Sequence, residues 1–114
     1  MLTVYIDTSS STELVLRLDD GISTKEKKVN ATQGRAQMIL PELEDFLTEQ
    51  QKTVNDITEI SIHTGPGSFT GLRFGAAIAR TISTILNIPI NGMPPGSLPN
   101  IEYGEDKWEL STKS

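Results

Sequence analysis

Apolar and polar side chains alternate along the first thirty residues with the two-residue period of β-strands. The segment 2–7, "LTVYID", is mostly apolar and predicts a buried strand. Residues 13–18 place three leucines on one face, which predicts a second strand. Asp20-Gly21 predicts a two-residue hairpin turn, and the lysine-rich segment 22–29 predicts a third strand at an edge of the sheet. The chain therefore begins as an antiparallel three-stranded meander.

Two later segments have the spacing of amphipathic helices. Within residues 32–51 apolar side chains recur three and four positions apart, and Pro41 inside this pattern predicts a kink or a helix start nearby. Residues 69–87 predict a second helix of good length. The apolar positions of the first helix are Met38, Ile39, Leu43, Phe46 and Leu47.

Short apolar segments at 58–63 and 88–92 predict a fourth and a fifth strand. The predicted order is β-β-β-α-β-α-β, which indicates the α/β class. After Gly92 the composition changes to prolines and glycines and then to polar residues. We therefore expect one lobe over residues 1–92, followed by a linker and polar tail over residues 93–114. Apolar side chains spaced through the tail favour its partial docking, with Trp108 as the anchor.

The composition excludes several kinds of site. The chain has no cysteine, so disulfides, thiolate catalysis and zinc-thiolate sites are excluded, and His63 as the only histidine excludes a multi-histidine metal site. The net charge of −5 disfavours direct binding of nucleic acid, because that affinity comes from lysine and arginine. No apolar run approaches the roughly 20 residues of a membrane helix, and the N-terminus lacks a signal-peptide layout. We expect a cytoplasmic protein without a metal or cofactor.

A glycine-rich stretch, "HTGPGSFTGLRFG" at 63–75, joins the fourth strand to the second helix. It fails the P-loop template, because Leu72-Arg73 follows Gly71 where Lys-Ser/Thr is required, and Thr70 replaces the third glycine of the dinucleotide fingerprint. A helix N-terminus opened by glycines nevertheless suits an anion, with Ser68 or Thr70 as the N-cap. A capped turn without any ligand explains the same residues, so both interpretations stay open.

Small residues recur along the second helix. Gly71, Gly75 and Ala79 lie four positions apart, with Ala76 beside them. A row of this kind lets another element approach closely, either from the chain's own core or from a partner. For a partner, Gly75→Leu is expected to break the contact between chains while the fold stays intact.

Three segments together resemble the TsaB (YeaZ) family. They are "IDTSSS" at 6–11, "ILPELEDFL" at 39–47 and "GPGSFTGLRFGAAIARTI" at 65–82. The last string is close to diagnostic of the family. The family belongs to the actin, sugar kinase and chaperone ATPase superfamily. The resemblance covers residues 1 to about 92 and implies an RNase H-like mixed sheet, one lobe of the actin-like ATPase fold.

The resemblance also implies a function and partners. Members of the family support the formation of threonylcarbamoyladenosine next to the tRNA anticodon, as catalytically degenerate relatives of TsaD that act with TsaD and the ATPase TsaE. Subunits associate through the two helices of this lobe, so we expect no enzyme activity from the chain alone and a heterodimer or homodimer interface. The corresponding interface residues here are Arg35, Met38, Ile39, Gly71, Gly75, Ala76 and Ala79.

Several departures from the family bear on these expectations. Family members continue into a second lobe, whereas this sequence ends after the proline-rich segment, as a single-lobe or truncated form would. Arg35 occupies a position where the family often has histidine, and Asp7 is followed by Thr8 and serines where the superfamily's phosphate loop carries glycine. Asp7 is therefore expected to cap a turn.

Three functional hypotheses remain. The first is a non-catalytic scaffold for tRNA threonylcarbamoylation, with tRNA contacted only indirectly. The second is a phosphate- or nucleotide-binding lobe that another chain completes, lined by Asp7, Ser10, Gly65, Gly67 and Ser68. The third is a stand-alone dimeric interaction module. A peptidase is not supported, since no nucleophile can be placed beside the single histidine.

Overall fold

The computed structural model describes residues 1–10, 12–30, 35–67, 69–99 and 101, and only the backbone of residues 35–37, 69 and 70. These described residues form four strands, two α-helices and a short 3-10 helix at Val54–Asp56. The strands are β1 (Thr3–Asp7), β2 (Glu13–Asp19), β3 (Thr24–Asn30) and β4 (Glu59–Ile62), and the helices are α1 (Arg35–Glu49) and α2 (Phe69–Leu86).

The N-terminal meander forms as the alternation predicts. β1 pairs antiparallel with β2, and β2 pairs antiparallel with β3, which lies at one edge of the sheet. The predicted two-residue turn is wrong in length, because four residues separate the paired positions Asp19 and Thr24. The Asp20 carboxylate explains the longer turn, since its Oδ1 accepts hydrogen bonds from the backbone N–H groups of Ile22 and Ser23, both at 2.8 Å.

The other edge of the sheet is formed by β4, which pairs parallel with β1 and gives the order β3-β2-β1-β4. The predicted fifth strand is reduced to a single parallel bridge between Ile60 and Ile90. Asn91 takes a positive φ of 51° and turns the chain away from the sheet. Its side-chain amide then replaces strand pairing, because Oδ1 accepts from Ile62 N–H at 2.7 Å and Nδ2 donates to the Ile62 carbonyl at 3.3 Å.

Both helices cover one face of the sheet and enclose the core. α1 packs on β2, α2 packs on β4 and β1, and the two helices contact each other. α1 continues through Pro41, whose position on the exposed side of the helix keeps it out of the core. The core residues of the strands and helices include Val4, Ile6, Leu14, Leu16, Ile60, Ile39, Leu43, Leu47 and Ala79.

The opposite face of the sheet is polar and half-buried. The Arg17 guanidinium lies 4.8 Å from the centre of the Tyr5 ring and also pairs with Glu26 at 2.9 Å. On the face that the helices cover, Lys27 of the edge strand β3 pairs with two carboxylates of α1, Glu42 at 3.5 Å and Glu49 at 3.2 Å. Because these pairs are partly exposed, each contributes less than about 1 kcal/mol to stability.

The segment that composition assigns to a linker lies against α2 as far as residue 99. Gly96 N–H donates to the buried Ser83 hydroxyl at 2.9 Å, and Arg80 Nε donates to the Gly96 carbonyl at 2.9 Å. Pro99 is buried. The expected docking of the tail through Trp108 concerns residues outside those that the structure describes.

Candidate functional site

Two loops meet at the carboxyl ends of β1 and β4, where the sequence predicts the phosphate-binding residues. β1 and β4 are parallel neighbours, so the turn after Asp7 and the glycine loop after Ile62 lie side by side. His63 N–H donates to the Ile6 carbonyl at 2.9 Å and extends this pairing by one residue. An anion site would therefore have to form between these two loops, at the carboxyl ends of the two strands.

The first loop is folded onto its own carboxylate. Asp7 Oδ1 accepts hydrogen bonds from the Ser9 backbone N–H at 2.9 Å and from the Ser9 hydroxyl at 2.6 Å. Ser10 Oγ accepts from the backbone N–H groups of Thr12 and Glu13, at 3.1 and 3.2 Å. The expectation that Asp7 caps a turn is confirmed, and the Ser10 hydroxyl likewise holds the local backbone.

The glycine loop packs closely against the turn that follows Asp7. Gly65 has a φ of +121°, which glycine adopts most readily. A Cβ at Gly67 would collide with the Ser9 side chain and would also lie 2.9 Å from the Ser9 Cα and carbonyl oxygen. Glycine is needed at position 67 because Ser9 fills the space directly above it. Ser68, the other predicted ligand residue, lies outside the described residues.

Thr8 connects the turn after Asp7 to the start of α2 by a hydrogen bond. Its side chain is buried, and its Oγ1 donates to the Gly71 carbonyl at 2.6 Å. A Cβ at Gly75 would collide with the same hydroxyl and lie 3.3 Å from Thr8 Cγ2. Gly75 is small because the Thr8 side chain of the same chain lies directly against it. Nothing in the sequence pattern distinguished Thr8 from the neighbouring serines.

The row of small residues is therefore an internal contact. Gly71, Gly75, Ala76 and Ala79 are all buried in the chain's own fold, as is Ile39 of α1, and Met38 is partly buried against the core. Of the two alternatives that the row left open, packing within the chain is the one observed. The Arg35 side chain lies outside the described part of the structure.

A different stripe of α2 faces solvent. Phe74, Ile78, Thr81 and Ile85 follow one another at four-, three- and four-residue spacing, which places them on one side of the helix. Phe74 is 42% exposed and Ile85 is 75% exposed, whereas Ile78 is half-buried. The sequence prediction of an interface named the small residues on the buried side of α2 and none of the residues of this stripe.

Beside the loops, Tyr5 and His63 form a hydrogen-bonded pair on the polar face of the sheet. The Tyr5 hydroxyl lies 3.2 Å from His63 Nδ1. Burial and the nearby Asp7 carboxylate raise the pKa of the Tyr5 phenol, and Arg17 partly offsets this. Tyr5 is therefore neutral near pH 7. Among the described residues no three His, Asp or Glu side chains are grouped so that they could hold a metal ion.

None of the helices that the structure describes combines the length and apolar character needed to cross a bilayer.

Comparisons with known proteins agree on the family. The family model for TsaD, described as tRNA N6-adenosine threonylcarbamoyltransferase, matches residues 29–94. The tRNA threonylcarbamoyladenosine biosynthesis protein TsaB of Escherichia coli K12 is 31% identical over 93 residues, which are 82% of this chain and 40% of that protein. The TsaB of Bacillus subtilis is 28% identical over 93 residues, 82% of this chain and 41% of that protein.

A solved structure agrees on the fold. A Pseudomonas aeruginosa protein, described as uncharacterized with similarity to peptidase YEAZ, superposes with a TM-score of 0.73 at 24% identity. The match covers 78% of this chain and 41% of that one. The fold is thus the expected RNase H-like, mixed α/β arrangement of actin-like proteins, and the chain spans about two fifths of the length of these relatives. Because the matched family model covers more than half of the sequence, the chain belongs to the TsaD family, and the relatives to which it is similar include the TsaB proteins.

Proposed function

We propose that this chain takes part in the biosynthesis of threonylcarbamoyladenosine in tRNA as a non-catalytic subunit that supports a TsaD-like partner. The names of its relatives support the pathway, since the Escherichia coli and Bacillus subtilis proteins are both called tRNA threonylcarbamoyladenosine biosynthesis protein TsaB. The family model, that of a threonylcarbamoyltransferase, supports the same pathway.

The two filled loops support a non-catalytic role. A phosphate group would need space and free backbone N–H groups between the β1 turn and the glycine loop. Ser9 fills the space above Gly67, and its own N–H is bonded to Asp7. Asp7 would otherwise be the obvious charged group at this edge, but its Oδ1 holds the Ser9 turn.

The exposed stripe on α2 is the observation that carries the proposal of a partner. A helix that already buries one apolar face gains nothing within the monomer from a second one. Phe74 and Ile85 would be desolvated in a helix–helix contact with another protein, and aromatic residues are enriched in such contacts. The stripe therefore replaces the buried small residues as the surface for a TsaD-like partner or for a second copy of this chain.

The remaining partners follow from the same role. A TsaE-like ATPase would act through the complex, because the β1 and glycine loops of this chain leave little room for a nucleotide. Contact with tRNA would be indirect, because the chain carries a net charge of −5. A homodimer through the stripe would compete with the heterodimer for the same residues.

Phe74→Glu should strongly weaken binding to the TsaD-like protein of the same organism. A central aromatic contact contributes about 2 kcal/mol or more, so affinity should fall by about thirtyfold or more. Ile22→Glu is the matched control, because Ile22 is 94% exposed in the β2–β3 turn, away from α2. Co-purification tests whether each variant binds the TsaD-like protein, and calorimetry measures the affinity.

Equal binding by Phe74→Glu and the unaltered chain would contradict the proposed surface. Self-association that depends on Phe74, together with no binding of the TsaD-like protein, would instead support the dimeric interaction module.

The isolated chain should not bind Mg-ATP at physiological concentrations. Ser9 occupies the position above Gly67 that a phosphate would require, and the loop lacks the P-loop lysine. Calorimetric titration tests this directly. Ser9→Gly removes the side chain but leaves the Cα and carbonyl oxygen of residue 9 beside Gly67, so this variant should not bind Mg-ATP either. Micromolar affinity of the unaltered chain for Mg-ATP would instead favour the nucleotide-binding lobe.

A further inference from the structure

A groove runs between α2 and the segment that follows Gly92. Its volume is about 590 Å³, which is in the range of sites that hold sizeable groups. One side of the groove comes from α2, and the other side comes from residues 98, 99 and 101. The lining residues are Arg73, Ala76, Ala77, Arg80, Thr81, Leu98, Pro99 and Ile101.

The groove combines apolar and cationic character. Leu98 is 65% exposed at its rim, although the neighbouring Pro99 is buried. Two guanidinium groups line it, from Arg73 and Arg80, and the described lining residues include no acidic side chain. A fitting occupant would therefore carry an apolar side chain flanked by carboxylates.

We propose that the groove is the docking site of this chain's own segment 102–114, with the Trp108 indole seated between α2 and Leu98. The segment matches the groove in charge, because residues 102–109, "EYGEDKWE", contain four carboxylates, one lysine and the chain's only tryptophan. Carboxylates on both sides of the indole would face the two arginines. This docking would cover the apolar rim around Leu98 within one molecule.

The length of the segment allows this contact. The segment continues directly from Ile101, which itself lines the groove. Seven residue steps separate Ile101 from Trp108 and span up to about 24 Å, whereas the distance along α2 from Arg73 to Arg80 is about 10 Å. Trp108 can therefore reach any part of the groove, even along a path that is not fully extended.

Fluorescence of the single tryptophan in the complete chain tests the proposal without a partner present. The expected result is emission shifted to shorter wavelength than in the urea-unfolded chain, together with protection from acrylamide. Leu98→Glu should move the emission to the solvent-exposed wavelength, because it replaces the apolar rim with a charge that repels the acidic segment. The matched control, Ile22→Glu, should leave the emission unchanged, and circular dichroism verifies the fold of both variants.

Three results would overturn the proposal. Emission of the unaltered chain at the solvent-exposed wavelength would show that the indole is not buried. A short-wavelength emission that persists in Leu98→Glu would place the indole elsewhere. Loss of the shift on dilution, with a matching change in sedimentation, would assign the groove to the segment of a second copy. These readouts use the isolated chain, so they are independent of binding to a TsaD-like protein.

Discussion

Gly75→Leu should destabilise the fold itself, by about 3 kcal/mol or more. Even a Cβ at this position collides with the buried Thr8 hydroxyl, and a leucine must displace the Thr8 side chain. Overpacking costs about 1–3 kcal/mol, and loss of the Thr8–Gly71 hydrogen bond leaves a buried hydroxyl whose desolvation costs about 1–3 kcal/mol. Urea unfolding monitored by circular dichroism measures the total decrease in the free energy of unfolding.

Substitutions by alanine test whether the contact between position 75 and Thr8 causes this loss of stability. Gly75→Ala should be destabilising alone but better tolerated in a Thr8→Ala background, because the atom that obstructs the new Cβ is then absent. Contacting residues show coupling of about 0.5–3 kcal/mol in such cycles. The sequence predicted that Gly75→Leu would break an oligomer and keep the fold. Unchanged stability with an altered sedimentation coefficient would restore that interpretation.

Ser83→Ala should cost about 2–3 kcal/mol, although it removes a single oxygen atom. Ser83 is fully buried near the end of α2, where its Oγ donates to the Ile88 carbonyl at 2.6 Å and accepts from Gly96 N–H at 2.9 Å. Both backbone groups lose their partner in the variant, and an unsatisfied buried group costs about 1–3 kcal/mol. Urea unfolding measures the loss, and amide hydrogen exchange at Gly96 should accelerate.

Thr81→Ala is the matched control for this substitution. Thr81 lies on the same helix and its hydroxyl also donates to a backbone carbonyl, that of Ala77 at 2.9 Å, but the residue is exposed. Water can replace that bond, so the change should stay within about 0.5 kcal/mol. Equal effects of the two substitutions would mean that helix propensity, rather than the buried hydrogen bonds, determines stability here.

The fold was predictable where periodicity alone decides the structure. The alternation in β2 places Leu14, Leu16 and Leu18 in the core, as expected, and both helices form close to their predicted bounds. The fifth strand was not predictable, because "IPI" at 88–90 fits a strand by composition. The positive φ of Asn91 ends the pairing after one bridge. The presence of an asparagine in the sequence is not enough to predict that conformation.

The candidate site shows a different limit of sequence analysis. The glycine loop and the Asp7 turn were both identified, and the capping role of Asp7 was correct. That the two loops pack against each other depends on the parallel pairing of β1 with β4 and on the short distance between Ser9 and Gly67. Small residues indicate that something approaches closely, but the pattern along one helix does not say whether it comes from the same chain.

The parallel pairing of β1 with β4 also determines when the chain can fold. Thr3 is aligned with Glu59, so the first strand waits for a partner more than fifty residues away, while its hairpin with β2 closes locally. Long-range pairings of this kind are slow to form because the intervening loop must close first. On a ribosome adding about 5–20 residues per second, the early meander would spend several seconds with Val4 and Leu16 uncovered. The lysines of β3 at the outer edge then protect the nascent sheet against pairing with other chains.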